Sequence, residues 1–175
     1  MDSSDFSVFL SGRSSVRDYE EIPLSTEEIE SILSCATKAP SAGNLEAWDV
    51  VVVTEKDTRF ALADAAFEQK HVATAPALFV VCTNYVRSMS KYGERGILYA
   101  VQDATIATTY MMLAAHSLDL HTCWTGAFDE DEVREILSLP VHVRPLAILA
   151  TGHGHPHPQR TGRMDTKEHV HLNAW

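Results

Sequence analysis

Two arginines flank two hydroxyl groups near the start of the chain, in a pattern that can bind an anion. Arg13 and Arg17 enclose Ser14 and Ser15, directly after Gly12. A guanidinium group can donate two parallel hydrogen bonds to a phosphate, and a serine hydroxyl can donate a third. The segment therefore indicates a phosphate site, although taken alone it is more typical of a solvent-exposed turn with surface arginines.

A second segment, residues 39–48, is rich in small residues and contains an amide side chain. Small residues such as Ala42 and Gly43 allow a planar ligand to approach closely, and Asn44 can donate and accept hydrogen bonds at once. A loop that needs Gly43 for its backbone angles and Asn44 as a cap has the same sequence. Both interpretations fit these residues.

Two later segments offer further hydrogen-bond donors. Thr125 and Gly126 stand where a predicted strand ends before the next helix. Backbone N–H groups at such a turn can donate to a ring nitrogen or to an oxyanion, while a plain strand-to-helix turn has the same residues. Arg160 and Arg163 lie in the C-terminal tail, where they offer anion contacts or form a basic surface loop.

Alternating helices and strands must position these segments. Ser25 and Glu28 form a capping box ahead of a helix that is predicted to end before Pro40. The β-branched run of residues 50–53 predicts a strand buried on both faces. Further helices are predicted over residues 6–12, 54–66, 97–118 and from 129 onwards, and further strands over residues 77–83 and 145–151. This alternation indicates an α+β or α/β fold.

The composition of the 175-residue chain argues against several kinds of partner. It carries 24 acidic residues against 14 Lys and Arg, a formal net charge of −10. A broad electrostatic surface for nucleic acid or for an anionic membrane is therefore not expected. No apolar run approaches the roughly 20 residues of a membrane span, and the acidic N-terminus is unlike a signal peptide. We therefore expect a cytoplasmic protein.

The three cysteines and nine histidines do not have the spacing of a metal site. Cys35, Cys82 and Cys123 lie in apolar stretches, which is typical of buried free thiols in a reducing compartment. Three histidines alternate within residues 153–157, in an irregular Gly/Pro-rich loop where three rings rarely face one ion. The sequence therefore predicts no resident metal.

Taken together and in order, the segments resemble the nitroreductase family of FMN-dependent oxidoreductases over nearly the whole chain. The ordered set is Arg-x-Ser-x-Arg at 13–17, Ala-Pro-Ser-Ala-Gly-Asn-x-x-x-Trp at 39–48, Ala-Pro at 75–76, Leu-x-Thr-Cys-Trp-x-Gly-x-Phe at 120–128, Gly-His at 152–153 and the late arginines. The resemblance implies an α+β fold with a central mixed or antiparallel sheet flanked by helices. It also implies a single FMN-binding domain over residues 1–175, in an intertwined homodimer with FMN at the subunit interface.

The resemblance assigns the FMN phosphate to the two arginine segments. Arg13 and Ser15 would bind the phosphate, with Ser14 beside them. Arg160 and Arg163 match a late basic pair that also meets the phosphate, and the loose spacing leaves open which of the two does so.

The flavin ring would be held by three other groups. Arg17 would lie near the ribityl chain and the pyrimidine edge. Thr125 and Gly126 would line the isoalloxazine, with a main-chain N–H of this turn facing N5. Three residues would reach the flavin from the other subunit: Pro40, Ser41 and Asn44.

The chain departs from the family pattern at one place and leaves another open. Many relatives have Gln-Pro before the Trp, whereas Glu46 and Ala47 stand here. An acid beside the cofactor would face solvent or make the site less favourable to anionic substrates. Contacts to the flavin edge from Gln69, Lys70 or His71 are alternatives between which the sequence does not choose.

The resemblance implies an NAD(P)H-dependent enzyme in which FMN carries the redox chemistry, so no side-chain nucleophile or general base is required. The expected reaction is ping-pong, two-electron hydride transfer from NAD(P)H through flavin N5 to a nitroaromatic, a quinone or a related small-molecule acceptor. One alternative is an FMN-binding storage or redox-sensing protein with little turnover. Another is a relative with different flavin chemistry: dehalogenation, dehydrogenation or breakdown of the flavin.

Overall fold

An antiparallel sheet of four strands forms the middle layer of the protein. The computed structural model describes residues 2–157 and 161–175. Within this part of the chain the strands are β1 (Trp48–Val53), β2 (Ala77–Asn84), β3 (His121–Thr125) and β4 (Val143–Gly152). Their order across the sheet is β1-β2-β4-β3, and each neighbouring pair is antiparallel. The predicted α+β class is confirmed, with the sheet in its antiparallel form.

Seven α-helices of the described residues flank the sheet. They are α1 (Ser3–Gly12), α2 (Thr26–Ala36), α3 (Lys56–Ala65), α4 (Lys70–Thr74), α5 (Tyr85–Tyr92), α6 (Arg95–Ser117) and α7 (Glu130–Ile136). Two short 3₁₀ turns cover Ala42–Asn44 and Thr166–Glu168. The sequence patterns predicted neither α4 nor α5. None of the described helices is both long and apolar enough to cross a membrane.

Side-chain caps determine where the helices begin. The predicted capping box is confirmed at α2, where Ser25 Oγ accepts the Glu28 N–H and the Glu28 carboxylate accepts the Ser25 N–H. The predicted start of α3 at Thr54 is wrong, because the Glu55 carboxylate caps that helix through two backbone N–H groups. A carboxylate at a helix start is favourable since it accepts N–H groups that have no partner within the helix.

Apolar side chains fill both spaces between the sheet and the helices. On one face, Leu62 of α3 and Val72 of α4 pack with Val80 of β2. On the other face, Ile32 of α2 and Met111 of α6 belong to a second cluster of buried apolar side chains. Burial of each such side chain contributes about 1.5–3 kcal/mol. Helices therefore cover the central strands from both sides.

The prediction that both valine-rich strands are fully buried holds for only one of them. All of β2 is buried, because it has a neighbouring strand on each side. Most of β1 is half-buried, because it lies at the edge of the sheet. The prediction for residues 50–53 is therefore wrong in burial, although the strand itself is confirmed.

The free thiols and the C-terminal tryptophan lie in contrasting surroundings. Cys82 and Cys123 are buried and Cys35 is half-buried, all three as free thiols.

Trp175 is fully exposed within this chain, and its ring lies 4.2 Å, centroid to centroid, from that of His171. The described part of the chain therefore does not provide a surface that buries this tryptophan.

Candidate functional site

The residues that follow α1 run along the free edge of β3. The Val16 N–H donates to the Thr122 carbonyl at 3.0 Å, and Ser15 and Thr122 form a parallel bridge. Val16 is buried in the core, and because neighbouring residues of extended chain point to opposite sides, Ser15 and Arg17 point away from it. The edge of the sheet thus fixes the spacing between the two side chains.

The first and last parts of the chain enclose a cavity of about 1300 Å³. Further along, the Glu20 N–H donates to the His153 carbonyl and the His155 N–H donates to the Asp18 carbonyl, each at 2.9 Å. These bonds tie the first segment to the stretch that follows β4. Five of the predicted site residues line the cavity: Arg13, Ser14, Ser15, Arg17 and Arg163. Arg160, predicted to join them, lies outside the described residues.

Arg13 has an unsatisfied buried nitrogen at this cavity. Its Nη1 is buried and has no hydrogen-bond partner in the described structure. A buried charged donor without a partner is costly, so such a group is favoured where an anion completes its hydrogen bonds. Three arginines line the cavity, against the single acidic side chain of Asp18 among the described lining residues. This donor set fits a phosphate group.

Two side chains hold the turn at Thr125 and Gly126, next to the end of β3. His71 Nε2 lies 2.7 Å from Thr125 Oγ1, and the Gln69 side-chain amide donates to the carbonyls of Ala66 and Ala127, each at 2.8 Å. Gln69, directly before α4, and His71, within α4, thereby hold the turn on both sides. Of the three alternatives that the sequence left open, Gln69 and His71 contact this turn.

Burial and Arg17 control the charge at the turn. Burial lowers the pKa of His71 below its ordinary value, and the positive charge of Arg17 lowers the pKa further. Burial raises the pKa of the Cys123 thiol, although Arg17 opposes that shift. His71 is therefore neutral and Cys123 protonated at neutral pH. Because Arg17 acts on residues at the turn and also lines the cavity, it connects the two parts of the site.

The remaining predicted residues lie in a loop held by a buried carboxylate. Asp103 of α6 accepts the Ala42 N–H at 2.8 Å and the Ala47 N–H at 3.2 Å. Ser41 Oγ accepts the Glu46 N–H at 3.0 Å, which closes the loop further. The hydroxyl of this predicted flavin contact thus also stabilises the loop itself.

The loop is far from the cavity of the same chain. Trp48, which follows the loop, pairs with Thr83, and Thr83 in turn pairs with Arg144 of β4. Ser15, at the cavity, forms a bridge with Thr122, and Thr122 pairs with Thr151 of β4. Arg144 and Thr151 are about 24 Å apart along β4. Across the sheet, four strand spacings, about 19 Å, separate β1 from the segment of Ser15 beside β3. Trp48 and Ser15 are therefore about 30 Å apart, and the loop that ends at Trp48 lies near the opposite corner of the sheet from the cavity.

The sequence did not reveal that two helical side chains, Asp103 and Arg87, hold this loop. Arg87 donates from Nη1 to the carbonyls of Glu46 and Trp48, at 2.9 and 2.8 Å, and from Nη2 to Asp49 at 2.6 Å. Asp103 did leave a signal, since it is a single acid within the alanine-rich buried face of a helix. Arg87 left no such signal. Among the described residues, no group of three or more His, Cys, Asp or Glu side chains is placed to hold a metal ion.

The chain resembles known oxidoreductases over most of its length. Residues 10–74 and 65–153 match the model of the nitroreductase family. The chain is 28% identical over 174 residues to the oxygen-insensitive NADPH nitroreductase of Salmonella typhimurium, covering 95% of this chain and 72% of that protein. It is 26% identical over 175 residues to an FMN reductase (NADPH) of Bacillus subtilis, covering 92% and 70%. The structure of NfrA1 from B. megaterium superposes with a TM-score of 0.92 at 28% identity, covering 98% of this chain and 75% of that one.

Proposed function

Because the chain belongs to the nitroreductase family, we propose that it transfers hydride from NAD(P)H through FMN to nitroaromatic, quinone or related electrophilic acceptors. The general activity, an NAD(P)H-dependent flavin oxidoreductase with FMN as cofactor, follows from its similarity to the nitroreductase and the FMN reductase. The ping-pong order and the acceptor class are the finer parts of the proposal. We take residues 1–175 to be one FMN-binding domain.

The unsatisfied Nη1 of Arg13 is the observation that carries this proposal. It lies buried beside a cavity that Arg17 and Arg163 also line. A phosphate monoester would supply the missing acceptor and offset the positive charge that three arginines concentrate there. We therefore assign the FMN phosphate to Arg13 and Ser15, with Ser14 beside them, and to Arg163.

The protein's part in the reaction is to bind, orient and control charge. Bound FMN supplies the redox chemistry, with N5 as the atom that takes up and releases the hydride. We assign the turn at Thr125 and Gly126 to the isoalloxazine, since Gln69 and His71 hold it in one place. With His71 neutral, the positive charge that acts on this turn comes mainly from Arg17. No side chain is required as a nucleophile.

A second copy of the chain completes the site in this proposal. Pro40, Ser41 and Asn44 belong to the loop that ends at Trp48, and Trp48 is about 30 Å from Ser15 at the cavity of the same chain, so the two parts of the predicted site do not meet within one chain. Exposed apolar side chains that a second copy would cover occur on α1, on α6 and in the C-terminal tail: Phe6, Leu10, Ile97, Leu98, Tyr110, Leu172 and Trp175. Both observations support an intertwined homodimer with FMN between the subunits.

An absorption spectrum followed by an anaerobic titration with NADH and NADPH tests the function. We expect purified protein to be yellow or to take up FMN, and to bleach on addition of one reduced nicotinamide per flavin. Menadione or a nitroaromatic should then restore the oxidised spectrum, and steady-state kinetics should give the parallel double-reciprocal lines of a ping-pong reaction. Colourless protein that does not take up FMN would contradict the proposal.

The same experiment separates the alternatives. A storage or redox-sensing protein would be yellow but would barely oxidise NADH or NADPH when menadione is present. A relative with other flavin chemistry would oxidise or consume a different compound, which analysis of the products identifies. The cytoplasmic location expected from the sequence stays a prediction.

A further inference from the structure

The buried carboxylate of Asp103 joins the two ends of the loop at 42–47. Its Oδ1 accepts the Ala42 N–H at 2.8 Å and its Oδ2 accepts the Ala47 N–H at 3.2 Å. The side chain is 2% exposed, on a helix face otherwise formed by residues such as Ala100, Ala104 and Ala107. A buried carboxylate is costly unless hydrogen bonds satisfy it, and both of these bonds go to the loop rather than to the core.

The loop needs such support because of its own backbone. Gly43 has φ +59°, Asn44 +57° and Glu46 +48°, all in the left-handed region. Glycine adopts that region freely and asparagine tolerates it, whereas for Glu46 it is strained. A loop with this geometry keeps one shape only where its surroundings hold it.

Arg87 supports only the far end of the loop. It donates to the carbonyls of Glu46 and Trp48, next to the start of β1. The hydrogen bond to Ala42, by contrast, holds the end of the loop that carries Ser41. Asp103 therefore fixes both ends relative to each other from outside the loop, and the Ser41 hydroxyl, which accepts the Glu46 N–H, adds a link within it.

We propose that Asp103 is a positioning residue that holds Pro40, Ser41 and Asn44 in the geometry required by the flavin of the partner subunit. Each chain's Asp103 then acts on the cofactor bound to the other chain's Arg13. This inference rests on the proposed function, because it requires FMN to bind between two subunits.

Asp103→Asn tests the positioning role with little change in size. One carboxylate oxygen becomes an NH₂ group, which cannot accept an N–H, so one end of the loop is released. We expect FMN binding, followed by flavin fluorescence, to weaken about tenfold or more while the apoprotein stays dimeric. The matched control is Thr108→Val, at a fully buried position of the same helix whose hydroxyl donates to the Ala104 carbonyl of that helix. We expect its FMN affinity to equal that of the wild type.

Mixed dimers test whether Asp103 acts on the other subunit's site. Two differently tagged chains, one with Asp103→Asn and one with Arg13→Ala, are co-expressed and the heterodimer is isolated by both tags. If Asp103 acts across the interface, one site carries both changes and the other carries none, so we expect one tightly bound FMN per dimer. If Asp103 acts within its own chain's site, each site carries one change and no tight site forms, which overturns the proposal.

Two further results distinguish failure of the inference from failure of the proposed function. Wild-type protein that does not bind FMN overturns both. Tight binding by the wild type together with equally tight binding by Asp103→Asn overturns the role of Asp103 alone. Should Asp103→Asn not fold, Asp103→Glu keeps the charge but displaces the carboxylate. FMN binding by the Asp103→Glu homodimer should then weaken, and the mixed dimer with Arg13→Ala should give one tight site. An unchanged affinity of the homodimer, or no tight site in the mixed dimer, overturns the proposal.

Discussion

His71 Nε2 and Thr125 Oγ1 lie 2.7 Å apart in a buried hydrogen bond that joins α4 to the end of β3. Burial lowers the pKa of His71, and the charge of Arg17 lowers the pKa further. The turn at Thr125 and Gly126 is therefore held by an imidazole that resists protonation. Any condition that protonates His71 places a second positive charge beside Arg17 and disturbs the turn.

This hydrogen bond predicts a loss of stability in mild acid. Below the ordinary histidine pKa of 6.5, the unfolded chain takes up a proton at His71 more readily than the folded protein does. Because the unfolded state then binds more protons, the free energy of unfolding falls as the pH falls from 6.5 through the lowered pKa of His71 in the folded state. Above pH 6.5 the titration of His71 no longer changes the free energy of unfolding. Denaturation in urea from about pH 8 to about pH 5 measures the slope.

Two glutamine variants show which histidines cause that pH dependence. His71→Gln removes the titration and should make the slope shallower below pH 6.5. His121→Gln should do so as well, because burial lowers the pKa of His121 too. An identical slope in His71→Gln and wild type would show that His71 does not resist protonation.

Arg13→Ala should weaken FMN binding without weakening the fold. Loss of a charge-assisted hydrogen bond to the phosphate costs about 1.5–3 kcal/mol, which is roughly a 10- to 150-fold higher Kd. Because Arg13 Nη1 has no partner without ligand, its removal should leave the free energy of unfolding of the apoprotein the same or higher. Flavin fluorescence titration and urea denaturation of the apoprotein measure the two effects.

Arg134→Ala is the control with the opposite expected pattern. Arg134 donates to the carbonyls of Val143 and Pro140, so its loss should lower stability by about 1 kcal/mol and leave the FMN affinity unchanged. Equal FMN affinity in Arg13→Ala and the wild type would mean that the phosphate binds elsewhere.

Gly154→Ala should separate the two segments that enclose the cavity. A Cβ at this position would overlap the carbonyl oxygen of Asp18 and would lie 3.2 Å from Val16 Cγ1. The obstacle is backbone, which cannot rotate away, so we expect a cost of about 1–3 kcal/mol in stability. FMN binding should also weaken, because Arg17 and His155 line the cavity from these two segments.

The control for this glycine is Gly162→Ala, where an added Cβ meets no atom of the described residues within 4 Å. It should match the wild type in urea denaturation. If Gly154→Ala is as stable as Gly162→Ala and binds FMN equally well, the pairing of the two segments does not shape the cavity.

Leu98→Glu should dissociate the expected dimer and with it the cofactor. Leu98 is an exposed apolar residue on α6, 49% accessible in the single chain. A carboxylate buried there without a partner would cost about 2–5 kcal/mol, so sedimentation should find monomer, with weakened FMN binding. Val141→Glu changes an exposed valine in the loop before β4, outside the expected interface, and should stay dimeric. Full flavin occupancy in monomeric Leu98→Glu would contradict the shared site.

Local patterns in the sequence were sufficient for the features that depend on near neighbours. The Ser25–Glu28 capping box, the buried strand β2 and the long helix α6 each follow from residues a few positions apart. The chemistry of Arg13 and Ser15 also follows from residue type, because a guanidinium beside hydroxyls suits a phosphate wherever it lies. The ordered motifs then indicated the family.

Only the tertiary structure decided how distant residues meet. The order of the strands left β1 at the edge of the sheet, and it placed Trp48, which follows the loop at 42–47, about 30 Å from Ser15 at the cavity. His71 meets Thr125 across 54 positions of sequence, and Asp103 meets Ala42 across 61. Such contacts result from the packing of the whole core, whose free energy depends on all elements together. Local spacing therefore identified the residues of the site but not the contacts that hold them in place.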